Sequence, residues 1–424
     1  MDSQSILKDL ISPALEPYCD LKIRDSRILV YSGSYTLKNS SQSIVVTGDI
    51  FYTLYDEIKL KFYGKCPVSD SFKDITDSPV WISTPDGLSG SCITTMASED
   101  SETASYNGLV QELRPDSVEC NRWHWSYLNM KKFVGSGVER FLQGARSISK
   151  DRLTFCCQDG TRIIMDNAVA MPDDQSPYSI SHHCELLTAN GATIDYDSVQ
   201  KYFLSFSHFI SFVVGRYHSP FLIQGEDNCG NKYEYHFVGY DNCRIGVNCW
   251  LPFPRDKDIE SLWPTFEAIW NGQDADKADI LSTAVHWYLE ANIGSGKLEG
   301  ALIMAITGVE MMWNVILDKN EKTSGKCLQS LLSKMKYTPQ FDCESLMKTR
   351  NQLTHYDDKN RNKYRTLTLE QKYSALENAL NVLELAILYW LDYQGYYADR
   401  TEKSKWRGGT STKIVPWSKN SNQL

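Results

Sequence analysis

Within the 424-residue chain, the segment Arg350-Asn-Gln-Leu-Thr-His355 brings together side chains able to grip a phosphate and to move a proton. Histidine titrates near neutrality and serves as general acid or base. Arginine stays charged and meets phosphate oxygens with a planar fork. A ribose 2′-hydroxyl attacking its own neighbouring phosphorus needs both services, so the pair suits RNA backbone cleavage and requires no metal. Asn351 and His355 stand four apart and share a helical face, whereas Arg350 lies about 100° round from Asn351. An Arg five residues before a His is also a common accident, and the plain alternative for Arg350 is a solvated charge on a helix face.

Other reactive groups are weaker candidates. His182-His183-Cys184 and the trio Cys229, Cys243 and Cys249 are the only Cys/His clusters, and neither comes with the C-x2-C spacing of a zinc site. Buried thiols are therefore expected, with no metal and no cofactor. Twelve cysteines scattered through a large chain without a secretory leader read as reduced thiols of a cytoplasmic protein. The aromatics around Trp123-His124-Trp125 are expected in a core rather than on a binding surface.

Two kinds of periodicity must position these residues. From about 27 to 255, short β-branched and aromatic runs alternate with turn signals. Hairpins are expected around Asp159-Gly160, around Asn190-Gly191 and around Asn228-Cys-Gly230-Asn231. A single helix interrupts this region, with Val199, Phe203, Phe206, Ile210 and Val213 forming one apolar stripe. After Pro264 the period is helical. Helices are expected over 278–293, 298–317, 327–335, 342–355 and 369–394, the fourth capped by Asp342. The last carries a seam of Leu369, Tyr373, Leu376, Leu380, Leu383, Ile387 and Trp390 and opens on the capping box Thr368-Leu-Glu-Gln371.

The chain therefore reads as α+β. A β-rich, sandwich-like region with a packed helix fills 1–272, divisible near 110–150; an all-α bundle fills 273–398; a mobile basic tail fills 399–424. A net charge of −9 excludes a protein coated in nucleic acid and leaves only local basic patches for it. No apolar run reaches the roughly 20 uninterrupted residues of a membrane span.

Residues 284–395 resemble a HEPN domain, the nucleotide-binding and ribonuclease fold of prokaryotic toxins and defence proteins. The likeness rests on the R-x(4 to 6)-H pattern met by Arg350, Asn351 and His355, on the long helix that follows it, and on the earlier run Ile303-Met-Ala-Ile-Thr-Gly-Val-Glu310-Met-Met-Trp. The β-rich front followed by such a bundle also resembles ApeA-type anti-phage proteins. The resemblance implies a metal-independent endoribonuclease that leaves a 2′,3′-cyclic phosphate and acts as a homodimer with two Arg/His pairs in one cleft. His355 would handle protons, Arg350 would hold the scissile phosphate and Asn351 would orient either. Glu310 would position Arg350 or be an ordinary surface acid; Lys348 and Tyr356 would touch RNA backbone. The implied substrate is host RNA, with transfer RNA expected, and the implied trigger a phage protein sensed by the front region. Two other classes remain open: a non-catalytic dimerising or nucleotide-binding module behind a ligand-binding β region, and the toxin half of a pair silenced by a nucleotidyltransferase.

Overall fold

The computed structural model describes residues 11–15, 23–24, 27–54, 58–70, 80–142, 144–169, 179–237, 239, 248–252, 255–294, 297–317, 323–354, 358–403 and 410–419. After a two-residue strand β1 (Ser12–Pro13), the strands β2 (Ile23–Arg24), β3 (Arg27–Lys38), β4 (Ser43–Leu54), β5 (Ile58–Pro67), β6 (Val80–Ser83), β7 (Ser89–Glu99) and β8 (Thr103–Val110) build the first sheet. Its order is β2-β3-β4-β5-β8-β7-β6, and β6 returns to pair with β3 through Thr36 opposite Ser83 and Lys38 opposite Trp81. Six strands thus close into an antiparallel barrel rather than the expected sandwich. Both architectures share the same alternation: Leu60, Phe62 and Cys66 point inward on β5 while Lys59, Lys61 and Lys65 point outward. Closure also removes the edges that an open sheet must protect. Gly108 makes room inside it, since a Cβ there would lie 2.2 Å from the Phe62 ring.

A second sheet follows, made of β9 (Glu112–Leu113), β10 (Arg122–Leu128), β11 (Ser136–Leu142), β12 (Ala145–Cys156), β13 (Arg162–Asn167), β14 (Ile180–Leu187), β15 (Phe221–Glu226) and β16 (Lys232–Phe237). The order is β1-β11-β12-β13-β14-β10-β15-β16-β9, antiparallel except for β1 against β11. Arg152 ties β1 down: it grips both Asp166 oxygens at 2.7 Å and donates to Ser12 Oγ and to the Pro13 carbonyl. Across this sheet lies α1 (Tyr196–Val214), capped by Asp195, which accepts from the Ser198 amide. Its stripe meets the sheet as expected: Phe203 lies edge-on to Trp125 at 5.1 Å and Phe206 edge-on to Phe155 at 5.0 Å. Trp123 and Trp125 are wholly buried.

The hairpins at Asp159-Gly160 and at 228–231 form. The one expected around Asn190-Gly191 does not. Residues 189–191 make a short helical turn, Ile194 forms a lone bridge to Cys120, and the chain enters α1 at once. The Asp195 cap and the stripe behind it outweigh the turn signal.

The remaining helices are α2 (Ile259–Trp270), α3 (Ala275–Asn292), α4 (Lys297–Ile316), α5 (Ser324–Lys334), α6 (Cys343–Thr354), α7 (Asp358–Thr366) and α8 (Leu369–Trp390), followed by β17 (Tyr396–Lys403) and β18 (Thr410–Ile414). Pro264 sits inside α2, whose Trp263 and Phe266 pack edge-on against Phe209 of α1 at 5.3 and 5.2 Å. One core therefore runs from the second sheet through α1 and α2 into the bundle, while the barrel keeps a core of its own. α4 is long and apolar enough to cross a membrane by length and composition, but half of its apolar window is buried within the fold. Gly308 on α4 lets α8 approach closely, because a Cβ there would come within 2.7 Å of Leu383.

The basic tail needs correcting. β17 and β18 pair as a hairpin, and Tyr397, Ala398, Val415 and Trp417 join the core. Arg400 is buried and donates to both oxygens of the buried Glu384, to Asn292 Oδ1 and to the Asn248 carbonyl.

Candidate functional site

The α6 helix begins where the Asp342 carboxylate accepts from the Ser345 amide at 2.8 Å, just after the Pro339 break. Cys343, Leu346 and Met347 are buried beneath it. That packing fixes the rotation of the helix and hence the direction of Arg350. Glu310, on the neighbouring α4, accepts from Arg350 Nη2 at 2.8 Å, and Arg350 Nη1 donates to Asn351 Oδ1 at 3.2 Å. Each side chain of the ion pair is about one quarter exposed (25% for Arg350, 23% for Glu310). Burial pushes the Glu310 carboxyl above its ordinary range, and the guanidinium beside it works in the opposite direction.

Glu310 makes the contact with Arg350 that the positioning role requires. The carboxylate holds one end of the guanidinium, Asn351 the other, and Arg350 Nε is buried without a hydrogen-bond partner among the described residues. The side chain as a whole is a quarter exposed, and an incoming anion oxygen would meet that exposed part of the fork. The held fork could carry negative charge developing on a phosphate; the Glu310 partner limits its net positive charge.

His355 and Tyr356 lie outside the described residues. Lys348 is well exposed and pairs with Glu344 one turn earlier at 3.7 Å, the ordinary i,i+4 contact of a solvated helix face. Beyond the site, α7 is one element the sequence reading missed. It is strongly polar, and its buried anchor among the described side chains is Tyr364, which donates to Glu299 of α4 at 3.3 Å and lies under Lys372 of α8 at 4.0 Å. One aromatic in nine residues gives no period to detect.

Among the described residues no group of three His, Cys, Asp or Glu is placed to hold an ion, and Cys243 of the second cluster lies outside them. His182, His183 and Cys184 are all buried in β14, with His183 Nδ1 within hydrogen-bond reach of Ser126 Oγ at 3.1 Å. The ten described cysteines are all free thiols.

Residues 116–238 match the family of the YopA central domain and residues 328–412 that of the YopA C-terminal domain. The first covers β10–β16 with α1; the second covers most of α5 through to β17 and includes Arg350 and His355. No curated protein and no solved structure matches the chain.

Proposed function

We propose that the chain is a HEPN-type endoribonuclease of anti-phage defence, in which Arg350 receives the scissile phosphate and His355 moves the protons. The observation that carries this reading is the guanidinium of Arg350, held by Glu310 and Asn351 and still a quarter exposed. In the proposed reaction the ribose 2′-oxygen attacks its neighbouring phosphorus as its proton leaves to a base. The P–O5′ bond breaks, a proton returns to the 5′-oxygen, and the products are a 2′,3′-cyclic phosphate and a 5′-hydroxyl. Arg350 stabilises the extra charge on the non-bridging oxygens. The base and acid are His355, in one copy or in two.

A homodimer belongs to this reading. Leu369 and Tyr373 begin the apolar seam of α8 yet are 75% and 54% exposed, while Leu376, Leu380, Leu383 and Ile387 beyond them are buried. A second copy covering this start would bring two Arg350 groups to one cleft. The barrel, with a core separate from the rest, suits a sensor of the phage trigger.

The reading is tested by expressing the wild type and His355→Ala in cells, with and without phage challenge, and examining total and transfer RNA. Cuts ending in cyclic phosphate, present with the wild type and lost in the variant, are expected. Intact RNA under every condition would sink the ribonuclease reading and favour a non-catalytic module.

A further inference from the structure

A cavity of about 860 Å³ opens where the barrel rim, α1, the end of the second sheet and α3 meet. Its volume is in the range of small-molecule sites, roughly 300–1,000 Å³. Tyr196, Phe203, Tyr217 and Phe237 supply aromatic walls, and Tyr196 is held rigid by stacking on Tyr235 at 4.4 Å. The charged lining among the described residues is all acidic: Glu112 and Glu290. Among the described residues two cations flank this lining and are already engaged, and Arg114 also lies over the Tyr196 ring at 5.6 Å. Arg114 is paired with Glu112 at 3.1 Å and with Asp197 at 2.9 Å, and Arg216 donates to His218 Nε2 and to the Asn129 carbonyl.

Two helix C-termini also converge here. The Asn292 side chain, at the end of α3, donates to the carbonyl of Gly215, the residue that caps α1, at 2.7 Å. An anion entering this space would meet the Glu290 carboxylate, with no Lys or Arg among the described lining residues. A cation would meet acceptors and aromatic faces, the combination that recognises ammonium groups.

We propose that this cavity binds an organic cation, a primary or quaternary amine carried on an apolar or aromatic body, with Glu290 as its counter-charge. Such a ligand touches the barrel rim and α3 together, and α3 packs on α4, the helix that bears Glu310. Binding is independent of RNA cleavage and is measured directly.

The test is calorimetric titration of the full chain with tryptamine and benzyltrimethylammonium, against indole-3-propanol and indole-3-propionate as neutral and anionic controls. Both cations are expected to bind at least about tenfold more tightly than either control. Glu290→Gln should remove that preference while leaving the alcohol unaffected. Leu204→Trp, at an exposed position lining the cavity, should block all binding without disturbing the core. Equal or better binding of the propionate, a cation preference that survives Glu290→Gln, or no binding by either cation would overturn the proposal.

Discussion

At the scale of single residues, the site depends on how firmly a guanidinium is held. Glu310 and Arg350 are each about a quarter exposed, so their pairing contributes little to stability, about 0–1 kcal/mol. Its consequence is orientation. Glu310→Gln is therefore expected to leave the urea midpoint nearly unchanged while lowering RNA cleavage by about 10- to 100-fold, because the fork is no longer anchored. Arg350→Lys retains the charge but not the bidentate geometry and should fall at least as far. If Glu310→Gln cleaves at the wild-type rate, the acid is an ordinary surface residue. The motif Arg350-Asn351 was legible in sequence because the two contacts that fix the guanidinium are one adjacent residue and one Glu in an apolar helix. The partnership itself was not, since it joins residues 40 apart through the packing of α4 against α6.

At the scale of elements, the second sheet carries a stability switch of its own. Burial lowers His182 to about 3 and His183 and His124 to about 4, against an ordinary 6.5; Glu226 lies 4.0 Å from His124, but burial and Arg122 prevail. A histidine lowered in the folded state stays neutral there while the unfolded chain takes up its proton. Stability is thus complete above pH 6.5 and declines as pH falls from 6.5 towards 4. At pH 5 each of the three forfeits about 2 kcal/mol. Urea midpoints measured from pH 7.5 to 4.5 should drop steeply in that window, and a flat profile would show the imidazoles to be accessible. For α8 the expectation concerns association. Leu369→Glu with Tyr373→Glu should leave helicity intact, convert a dimer to monomer by light scattering, and depress cleavage; a dimer that persists would place the interface elsewhere.

At the scale of the whole molecule, the chain divides by core rather than by secondary-structure type. The barrel keeps a core of its own, joined by Leu128, Phe221 and Leu222 of the second sheet, whereas the second sheet and the bundle share one interior that the β-hairpin at the C-terminus completes. Removing one partner of a buried pair leaves the other charge unpaired, so Arg400→Ala should destabilise the protein by roughly 3–5 kcal/mol, read from chemical denaturation. An unchanged midpoint would mean that β17 docks without this clamp. Strand and helix periods were readable because alternation and the 3.6-residue stripe depend on local spacing, as the β5 lysines and the α1 phenylalanines show. Barrel closure was not readable, because β3 meets β6 across more than forty residues and neither strand encodes its partner. The 399–424 segment looked like a tail because its charge count hides the buried Arg400 and two core residues, Val415 and Trp417. α7 was invisible for the complementary reason, having only Tyr364 to anchor it.

The central claim is chemical, and one measurement addresses it directly. The wild type, Arg350→Ala and His355→Ala are purified from phage-challenged cells and incubated with a 5′-labelled transfer RNA, with and without EDTA, and the new ends are mapped. The account predicts cleavage by the wild type in both conditions, 2′,3′-cyclic phosphate termini, and loss of at least about a hundredfold in each variant. Cleavage that survives both substitutions, or that EDTA abolishes, would contradict it.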